Sequence, residues 1–275
     1  MLKILKLLAI IFVLVLSTAS FDRTANAATG YQGFTVSRDG VPGGLNITWH
    51  NAIMGDPYST TAVPVIQAPG GEANVRWDTW SGFIAGNNNF TGVYRPKTSP
   101  TSYDRDLFVS MGSNLITESI PYTVIEQIFY DSVTAGVWVD PSEIVYLRCD
   151  GVVEYIYEWY GFRVYGNDAY WDITRANYDI LDHHSWANIT PQAQAQSYLT
   201  RITTIMWPQV NYSYGSTGSN VALIQSQLTI CGFYPGSADG IFGSKTKSAV
   251  INFQNSRGLT ADGIVGFNTW NALFQ

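Results

Sequence analysis

The chain has 275 residues, of which 46% are hydrophobic and 13% charged, and its formal net charge at pH 7 is −6. This negative balance disfavours electrostatic binding to nucleic acid or to an anionic lipid surface, so we expect neither as a partner. Only three His are present, and two of them, His183 and His184, are sequence neighbours that cannot easily share one metal ion. We therefore expect no metal and no cofactor.

The N-terminus has the pattern of a secretory signal peptide. Lys3 and Lys6 precede an apolar run at positions 7–16, and the Ala-Asn-Ala triplet at positions 25–27 offers the small residues of a signal peptidase site. The apolar run is too short to span a bilayer, which takes about 20 residues. We expect residues 1–27 to be removed and the product to be exported without stable insertion in a membrane.

Residues 28–210 contain no repeat and are long enough to form one well-buried domain. Alternating apolar residues predict strands in the first half, and helical spacing predicts helices in the second half. The predicted strands lie at 45–49, 63–66 and 92–95, and the predicted helices at 124–129 and 152–157. Strands followed by helices predict an α+β domain.

Residues 147–157 place Cys149 in the first turn of an amphipathic helix that ends near Gly161. The N–H groups and the dipole at a helix start favour a thiolate, and Arg148 adds a positive charge. We therefore expect a lowered thiol pKa, which a nucleophile at neutral pH requires. Two other interpretations stay open, namely a thiol buried as a small apolar residue and a disulfide between Cys149 and Cys231.

The same helix carries Glu154 and Glu158. A glycosidase needs two carboxylates on either side of a cleft, and spacing in sequence does not show such a placement. We expect both side chains on the exposed surface of the helix.

A cysteine nucleophile needs a base. His50 lies in a strand-like segment upstream of Cys149, whereas His183 and His184 lie in a polar loop before Thr190-Pro191, a pair that predicts the start of a helix. Polar loop residues have a low propensity for strands. We therefore favour His50 as the base and keep the other two as alternatives.

A small polar segment at residues 211–219 predicts a flexible linker. After it, a nine-residue phrase occurs twice, as Ala-Asp-Gly-Ile-Phe-Gly-Ser-Lys-Thr at 238–246 and as Ala-Asp-Gly-Ile-Val-Gly-Phe-Asn-Thr at 261–269, identical at six of the nine positions. Each copy predicts a tight turn that leads into a helix, with the Thr as a candidate cap. Residues 220–275 are therefore predicted to form three short helices around one small core.

The segment from Asn220 to Leu273 resembles the bacterial peptidoglycan-binding domain, a three-helix module of secreted cell-wall enzymes. The matching residues include Gly232-Phe-Tyr, Asp239-Gly240, Phe253-Gln254, Gly258-Leu259, Asp262-Gly263 and Thr269-Trp270. The resemblance implies peptidoglycan as the partner, with a groove beside the repeated turns for the wall peptide or glycan. The candidate substrate-binding residues are Tyr234, Asp239, Asp262 and Trp270, each of which also suits a turn or the core.

The Cys149 segment resembles the Cys-Ser-Gly-Leu-Val signature at the catalytic helix of the NlpC/P60 group of papain-like cell-wall peptidases, with Asp150 where Ser is usual. A circularly permuted branch of this group places the His strand before the Cys helix. In that branch a Val-Ile-Glu-Ala phrase and an Arg-Pro strand end come after the His. Here Val-Ile-Gln-Ala at 65–68 and Val-Tyr-Arg-Pro at 93–96 follow His50 in that order.

This resemblance implies a papain-like α+β fold for residues 28–210, with the Nδ1 proton of His50 donated to Gln67 so that the imidazole tautomer is set. Glu72 is an alternative to Gln67. The resemblance also implies that the backbone N–H of Cys149 helps to hold the oxyanion.

Together, these features predict an exported, cell-wall-associated protein in which a papain-like cysteine hydrolase is joined to a peptidoglycan-binding module. We expect a monomer that cleaves amide bonds in wall peptides, with Cys149 as nucleophile and His50 as base. The alternative is a wall-binding protein without turnover, which Asp150 and the amide of Gln67 favour. A third interpretation is an acyltransferase or esterase that acts on lipid.

Overall fold

A computed structural model describes residues 28, 30–40, 49–55, 64–71, 73–84, 89–131, 134–166, 171–176, 189–208 and 210–274. The predicted signal peptide, Glu72, His183 and His184 lie outside these residues. The described strands are β1 (Thr35–Asp39), β2 (His50–Met54), β3 (Val65–Gln67), β4 (Arg76–Asp78), β5 (Asn89–Pro96), β6 (Ile128–Tyr130), β7 (Ile144–Leu147) and β8 (Leu199–Thr203). The described α-helices are α1 (Trp80–Phe83), α2 (Ser102–Thr117), α3 (Cys149–Trp159), α4 (Pro191–Ala193), α5 (Ser219–Ile230), α6 (Ser244–Ser256) and α7 (Phe267–Leu273).

Six of the described strands form one antiparallel sheet in the order β4-β3-β2-β1-β5-β8, and β6 pairs with β7 separately. Alternation along β2 divides the core in two, because successive strand residues point to opposite faces. Ile53 belongs to the cluster formed with helices α2 and α3, whereas Ala52 and Met54 belong to the cluster on the other face. The N-terminal part of the chain is therefore a mixed α+β unit with a sheet covered on both faces.

Three predicted elements of this unit are confirmed, whereas the strand predicted at 45–49 lies outside the described residues except for Trp49, which precedes β2. Strands occur at Val65–Gln67 and Asn89–Pro96, and the Cys149 helix ends at Trp159 with Tyr160 as its C-cap. The helix predicted at 124–129 is wrong, because Ile128 begins strand β6, which pairs with β7. A short apolar run fits either period, and here the pairing with β7 decides for the strand.

The sequence analysis did not predict α2, although its start carries a clear local signal. Thr101 accepts the backbone N–H of Asp104, and the Asp104 carboxylate accepts the backbone N–H of Thr101, which together form a capping box. Phe108, Met111 and Leu115 then face the sheet at helical spacing and are buried. The element was missed because its hydrophobic stripe is narrow.

The C-terminal unit has three helices, as predicted, and the repeated phrase builds the same hydrogen-bonded node twice. Gln225 Nε2 lies 3.0 Å from Asp239 Oδ1 and 3.1 Å from Thr246 Oγ1, and Gln254 Nε2 lies 2.9 Å from Asp262 Oδ1 and 3.1 Å from Thr269 Oγ1. In both copies the Gln amide oxygen accepts a Gly backbone N–H at 2.9 Å. The phrase is repeated because each copy surrounds one buried Gln. The Asp-Gly turn and the Thr supply the hydrogen-bond partners of that Gln.

This node corrects the role expected for the Thr residues. The N-caps of α6 and α7 are Gly243 and Gly266, and neither helix has a side-chain cap. Thr246 and Thr269 lie one turn inside their helices, where each hydroxyl is needed to satisfy the buried Gln. A buried polar group without such a partner would be costly.

Residues 211–219, predicted to be a flexible linker, pack against the helical module. Tyr212 is buried, exchanges two backbone hydrogen bonds with Val265 at 3.1 and 2.8 Å, and stacks on Trp270 with ring centroids 6.2 Å apart. The backbone N–H of Phe242 donates to Ser216 at 2.9 Å. The polar composition of the segment concealed the fact that one aromatic ring adds to the module's core.

The module docks on the sheet face opposite α3. Phe267 packs edge-on against Tyr31 at 5.0 Å and Trp207 at 5.7 Å, and the Tyr31 hydroxyl donates to Asn271 Oδ1 at 2.5 Å. Apolar side chains of the sheet, such as Met54, share one continuous buried cluster with the module. The two units therefore form one packed body.

Phe267 is also one of the three positions at which the two copies of the phrase differ, and Ser244 occupies the matching position in the first copy. We expect Phe267→Ser to weaken the docking by about 2 kcal/mol through lost packing. Calorimetry of the wild type should show one thermal transition, and the variant two. Ser244→Ala, at an exposed position, is the control, and one unshifted transition in the Phe267 variant would contradict the docking.

Candidate active site

The structure places His50, Gln67 and Cys149 on neighbouring elements, and His50 is hydrogen-bonded to Gln67. His50 begins β2, Gln67 ends β3, and Cys149 is the first residue of α3. The backbone N–H of Asn51, the residue after His50, hydrogen-bonds to the Cys149 sulfur. Contact between α3 and β2 thus sets the thiol beside the start of the His50 strand.

Gln67 orients the His50 ring. His50 Nε2 lies 2.7 Å from Gln67 Oε1, and Gln67 Nε2 donates to Asp78 Oδ2 at 2.7 Å. Since the amide oxygen only accepts, Nε2 carries the proton and Nδ1 presents the lone pair. His50 pairs with Gln67 as expected, but through Nε2 and not through the expected Nδ1. Nδ1 is therefore the basic atom.

Asp78 is a member of this cluster that the sequence analysis missed. Burial opposes its ionised form, but hydrogen bonds from Arg76, Thr79 and Gln67 outweigh that effect and lower its pKa. An ionised Asp78 orients the Gln67 amide and supplies the negative charge that the amide lacks. The residue lies in the three-residue strand β4, and no motif around it indicates this role.

Burial favours the neutral form of both the thiol and the imidazole. Burial, reinforced by the charge of Asp150, raises the pKa of Cys149 to about 12, despite the backbone N–H groups of Asn51 and Asp150 and the charge of Arg148. Burial and the charge of Arg38 lower the pKa of His50 to about 3. The expectation of a lowered thiol pKa is corrected, because desolvation of the thiolate outweighs the effect of the helix start.

Arg148 does not provide a free positive charge, because Asp150 binds it. The guanidinium donates to Asp150 Oδ1 at 2.6 Å and to Oδ2 at 2.8 Å, and both side chains are 0% exposed. Arg148 Nη2 also donates to the carbonyl of Ile189 at 2.7 Å. This bidentate pair explains why the residue after Cys149 is an acid, since any neutral residue there would leave a buried cation unpaired.

Arg38 is a second charged residue that the sequence analysis missed. It lies opposite His50 in the pairing of β1 with β2, and its guanidinium is 5.2 Å from the centre of the Phe83 ring. Burial lowers the pKa of Arg38, and interactions with Cys149 and Asp78 oppose that shift. Its buried Nε has no hydrogen-bond partner among the residues that the structure describes. Arg38 is therefore a buried cation that interacts with Cys149 and Asp78, and its Nε is a donor without a partner among the described residues.

The expectation that Glu154 and Glu158 lie on the helix surface is wrong, since they are 0% and 3% exposed. Gln127 Nε2 donates to Glu154 at 2.7 Å, and Glu158 accepts from Arg163 at 2.9 Å. The helix is also closely packed at Gly151, where a Cβ would come within 2.0 Å of the Gln127 carbonyl oxygen. The Cys149 helix is thus buried on both polar and apolar faces, which fixes the position of the thiol.

The shifted pKa of His50 predicts a pH dependence of stability. The unfolded residue takes up a proton near pH 6.5, whereas the folded one resists protonation down to about pH 3. The unfolded state binds more protons in this window, so the free energy of unfolding falls as the pH drops through it. At pH 4.5 we expect the wild type to have lost about 2–3 kcal/mol relative to pH 7 from this residue alone.

Urea unfolding of the wild type and of His50→Gln at pH 7 and 4.5 measures this contribution by difference. The Gln variant should lose less stability than the wild type on acidification, since it removes the titrating group. Equal losses in both proteins would contradict a buried, neutral His50.

Four module residues were predicted to bind substrate, and the structure places them differently. Tyr234 is 75% exposed and lines a cavity of about 370 Å³, and Asp262 lines another of about 630 Å³. The Asp239 carboxylate is bonded within its turn, where it accepts the Ile241 N–H at 2.9 Å. Trp270 is 1% exposed and lies in the core, where little of its ring is left for a ligand.

Both cysteines are free thiols, so the pairing of Cys149 with Cys231 is not formed. In the part of the chain that the structure describes, no three His, Cys, Asp or Glu side chains are grouped so as to hold a metal ion. Within the same part, every helix is too short or too polar to cross a membrane.

Residues 217–273 match the family described as "Putative peptidoglycan binding domain". The spore cortex-lytic enzyme of Bacillus cereus is 46% identical over 61 residues, which are 22% of this chain and 24% of that enzyme. The zinc D-Ala-D-Ala carboxypeptidase of Streptomyces albus G is 46% identical over 68 residues, 23% of this chain and 26% of that enzyme. N-acetylmuramoyl-L-alanine amidase CwlM of Mycobacterium tuberculosis is 44% identical over 57 residues, 21% and 14% of the two chains.

Among solved structures, the crystal structure of the SleB N-terminal domain is 39% identical, covers 24% of this chain and 92% of that one, and has a TM-score of 0.24. The chain spans only 14–26% of the length of these curated relatives, and the similarity lies in the binding domain. The matched residues coincide with the three-helix unit and its two Gln nodes. Residues 217–273 are therefore a peptidoglycan-binding domain.

Proposed function

We propose that this protein is an exported cell-wall hydrolase that cleaves amide bonds in peptidoglycan peptides by a Cys-His mechanism. The observation that carries the proposal is the hydrogen-bond chain from Asp78 through Gln67 to His50, next to the start of the Cys149 helix. A polar chain of this kind fixes the ring with Nε2 protonated and leaves Nδ1 as the basic nitrogen, which is the arrangement that a general base requires.

The fold and the module support the same proposal. The His strand precedes the Cys helix in the chain and contacts it, as the resemblance to the permuted NlpC/P60 group leads us to expect. The binding domain resembles those of enzymes named as cortex-lytic, amidase and carboxypeptidase. The substrate class is therefore wall peptide, and the site of action is the cell wall.

In the proposed reaction His50 Nδ1 takes the thiol proton as the Cys149 sulfur attacks the amide carbonyl carbon. His50 then gives that proton to the leaving amine, and a thioester remains on Cys149. Water, deprotonated by Nδ1, attacks the thioester and releases a carboxylate and the thiol. Since both groups start neutral, proton transfer and attack are coupled, with no resting ion pair.

In this reaction three groups stabilise the charges that develop. Cys149 is the first residue of α3, so its backbone N–H has no partner within the helix and is available to the oxyanion. Arg38 sets a positive charge close to the sulfur, where it favours the developing thiolate. The carboxylate of Asp78, relayed by Gln67, favours the developing imidazolium.

The test is digestion of purified cell walls and of soluble wall peptides by the wild type and by Cys149→Ser. We expect new amino and carboxyl termini and a mass gain of one water in the products of the wild type alone. Wild-type products that match those of the Ser variant would overturn the proposal.

Asp78 provides a finer test of the same site. We expect Asp78→Asn to lower kcat about tenfold, because an uncharged partner neither enforces the Gln67 orientation nor supports the imidazolium. Glu118→Gln is the control, since it also replaces a carboxylate with an amide, at an exposed position outside the site. Equal activities of Asp78→Asn and the wild type would show that Asp78 has no part in orienting His50.

A second candidate function is peptidoglycan binding without turnover. It is favoured by the burial of Cys149, which is 2% exposed and has a raised pKa, because buried thiols of this kind are usually inert. This candidate predicts that the wild type and Cys149→Ser sediment equally with purified walls and that neither releases products.

A further inference from the structure

We propose that a groove between the two units binds the wall peptide through the peptide's carboxylate groups. This inference rests on the proposed function for the choice of a wall peptide, and it adds a binding site that neither unit forms alone. The groove consists of two adjoining cavities of about 630 and 410 Å³. Both are lined by Gly30 of the N-terminal unit and by Phe267 of the module, so they are continuous along the docking seam.

The groove is positively charged in a protein of net charge −6. Arg105 lines the larger cavity, and Arg95 and Arg201 line the smaller one. Among the described residues of the two linings, Asp262 is the one carboxylate. Cations grouped on one wall raise the local concentration of anionic ligands.

Backbone carbonyls accept hydrogen bonds from two of the three arginines, Arg105 and Arg95. Arg105 donates to the carbonyls of Gln32 and Gly30 at 2.7 and 2.9 Å and lies 4.3 Å from the centre of the Phe34 ring, which lines the smaller cavity. Arg95 donates to the carbonyls of residues 96 and 97. Within the described part of the chain, neither Arg95 nor Arg201 forms an ion pair with a carboxylate. Their charges are therefore not cancelled by direct pairing there.

The opposite wall of the groove has different chemistry. Asn268 and Asn271 of the module offer amides that suit a peptide backbone, and Asp262 suits an ammonium group. The Oδ1 atom of Asp262 is bonded to Gln254 and to the Ile264 N–H, and these bonds lower its pKa and keep it ionised. A ligand with carboxylates and one amine fits both walls, whereas a polyphosphate chain meets repulsion at Asp262. We therefore assign the groove to a wall peptide that contains a diamino acid.

The module's repeat explains why the groove forms at the second copy. Phe267 and Asn268 stand where the first copy has Ser244 and Lys245. Phe267 makes the aromatic contacts that hold the seam, and Asn268 avoids a further cation facing the arginines. The first copy, without these two residues, leaves its own cavity beside Tyr234 open to solvent on the module alone.

The experiment is calorimetric titration of full-length mature protein with the synthetic tripeptide L-alanyl-γ-D-glutamyl-L-lysine. All proteins carry Cys149→Ser, so that binding is measured without turnover. Arg201→Gln is the test variant, and Arg257→Gln, an exposed arginine of the module outside the groove, is the matched control. The same tripeptide with both carboxylates amidated, and poly(glycerol phosphate), are the comparison ligands.

We expect Arg201→Gln to raise the Kd of the tripeptide about tenfold, since one charge-assisted hydrogen bond is lost. Amidation of the tripeptide should raise its Kd by a similar factor for the protein in which all groove arginines are intact. The Arg257→Gln variant should bind the unmodified tripeptide with a Kd within about twofold of that protein's. Equal Kd values for Arg201→Gln and Arg257→Gln, equal binding of the amidated tripeptide, or preference for poly(glycerol phosphate) would each overturn the proposal.

The outcome is separable from that of the proposed function. Carboxylate-dependent binding in the groove, together with wall digestion that shows no products, would support this binding site and contradict the proposed hydrolase activity. Digestion without carboxylate-dependent binding would do the reverse. Thermal unfolding of each variant confirms that the arginine substitutions leave the docked fold intact.

Discussion

Replacing His50 with alanine is expected to lower kcat/KM for wall-peptide hydrolysis by about 10³-fold or more, because the proton of the thiol then has no acceptor. In the structure Gln67 and Asp78 set the imidazole tautomer so that Nδ1 is the basic atom. Without the ring, a thiol whose pKa is raised to about 12 stays protonated at neutral pH and attacks slowly. The measurement is the initial rate of amine release from soluble wall peptides.

The control for this prediction uses the other two histidines. His183→Ala and His184→Ala remove the same side chain from the polar loop that the sequence analysis kept as an alternative source of the base. We expect both to keep wild-type rates. Loss of activity in either of them, with His50→Ala unaffected, would move the base to that loop and contradict the assignment.

Alkylation of Cys149 by iodoacetamide tests the protonation state directly. Because burial keeps both groups neutral, labelling of the folded wild type below pH 8 should be much slower than labelling of the same Cys in urea. Rapid labelling at pH 6 that is lost in His50→Ala would instead show a resting thiolate–imidazolium pair.

Replacing Asp150 with asparagine is expected to lower the free energy of unfolding by about 3–5 kcal/mol. The variant keeps the size of the side chain but leaves Arg148, which is 0% exposed, without its bidentate carboxylate. An uncompensated buried cation costs far more than the pair itself contributes. Urea unfolding, followed by circular dichroism, gives the difference.

The double variant Arg148→Met/Asp150→Asn is the control, because it removes the cation together with the acid, and Arg148→Met alone completes the cycle. We expect the double variant to be more stable than Asp150→Asn alone, so that the two positions show a coupling energy. Additive losses at the two positions would contradict a mutual pair.

The sequence was informative wherever a feature depends on nearby residues. Cys149 was placed at a helix start and His50 in a strand because periodicity over a few residues determines both. The sequence was misleading where a contact with a residue far along the chain decided the local structure. The run at 124–129 became part of a strand because it met β7, and Glu154 was buried because Gln127, far along the chain, could satisfy its carboxylate.

The candidate site shows the same division. The order of His50, Gln67 and Cys149 was readable, since each lies in a short phrase with its own pattern. Asp78 and Arg38 were not, because each joins the cluster only through the pairing of neighbouring strands. The pKa of the thiol was misjudged for a related reason, since burial is a property of the whole packed structure.

By itself, the sequence determined the C-terminal three-helix module, because a repeated phrase encodes the same local turn and the same buried Gln twice. It also determined the helix that carries Cys149 and the strand that carries His50. Only the tertiary structure decided that residues 211–219 pack on the module, that Phe267 docks the module on the sheet, and that Asp78 completes the chain to His50. These features depend on contacts between residues far apart in sequence, whose free energy exists only after the chain has folded.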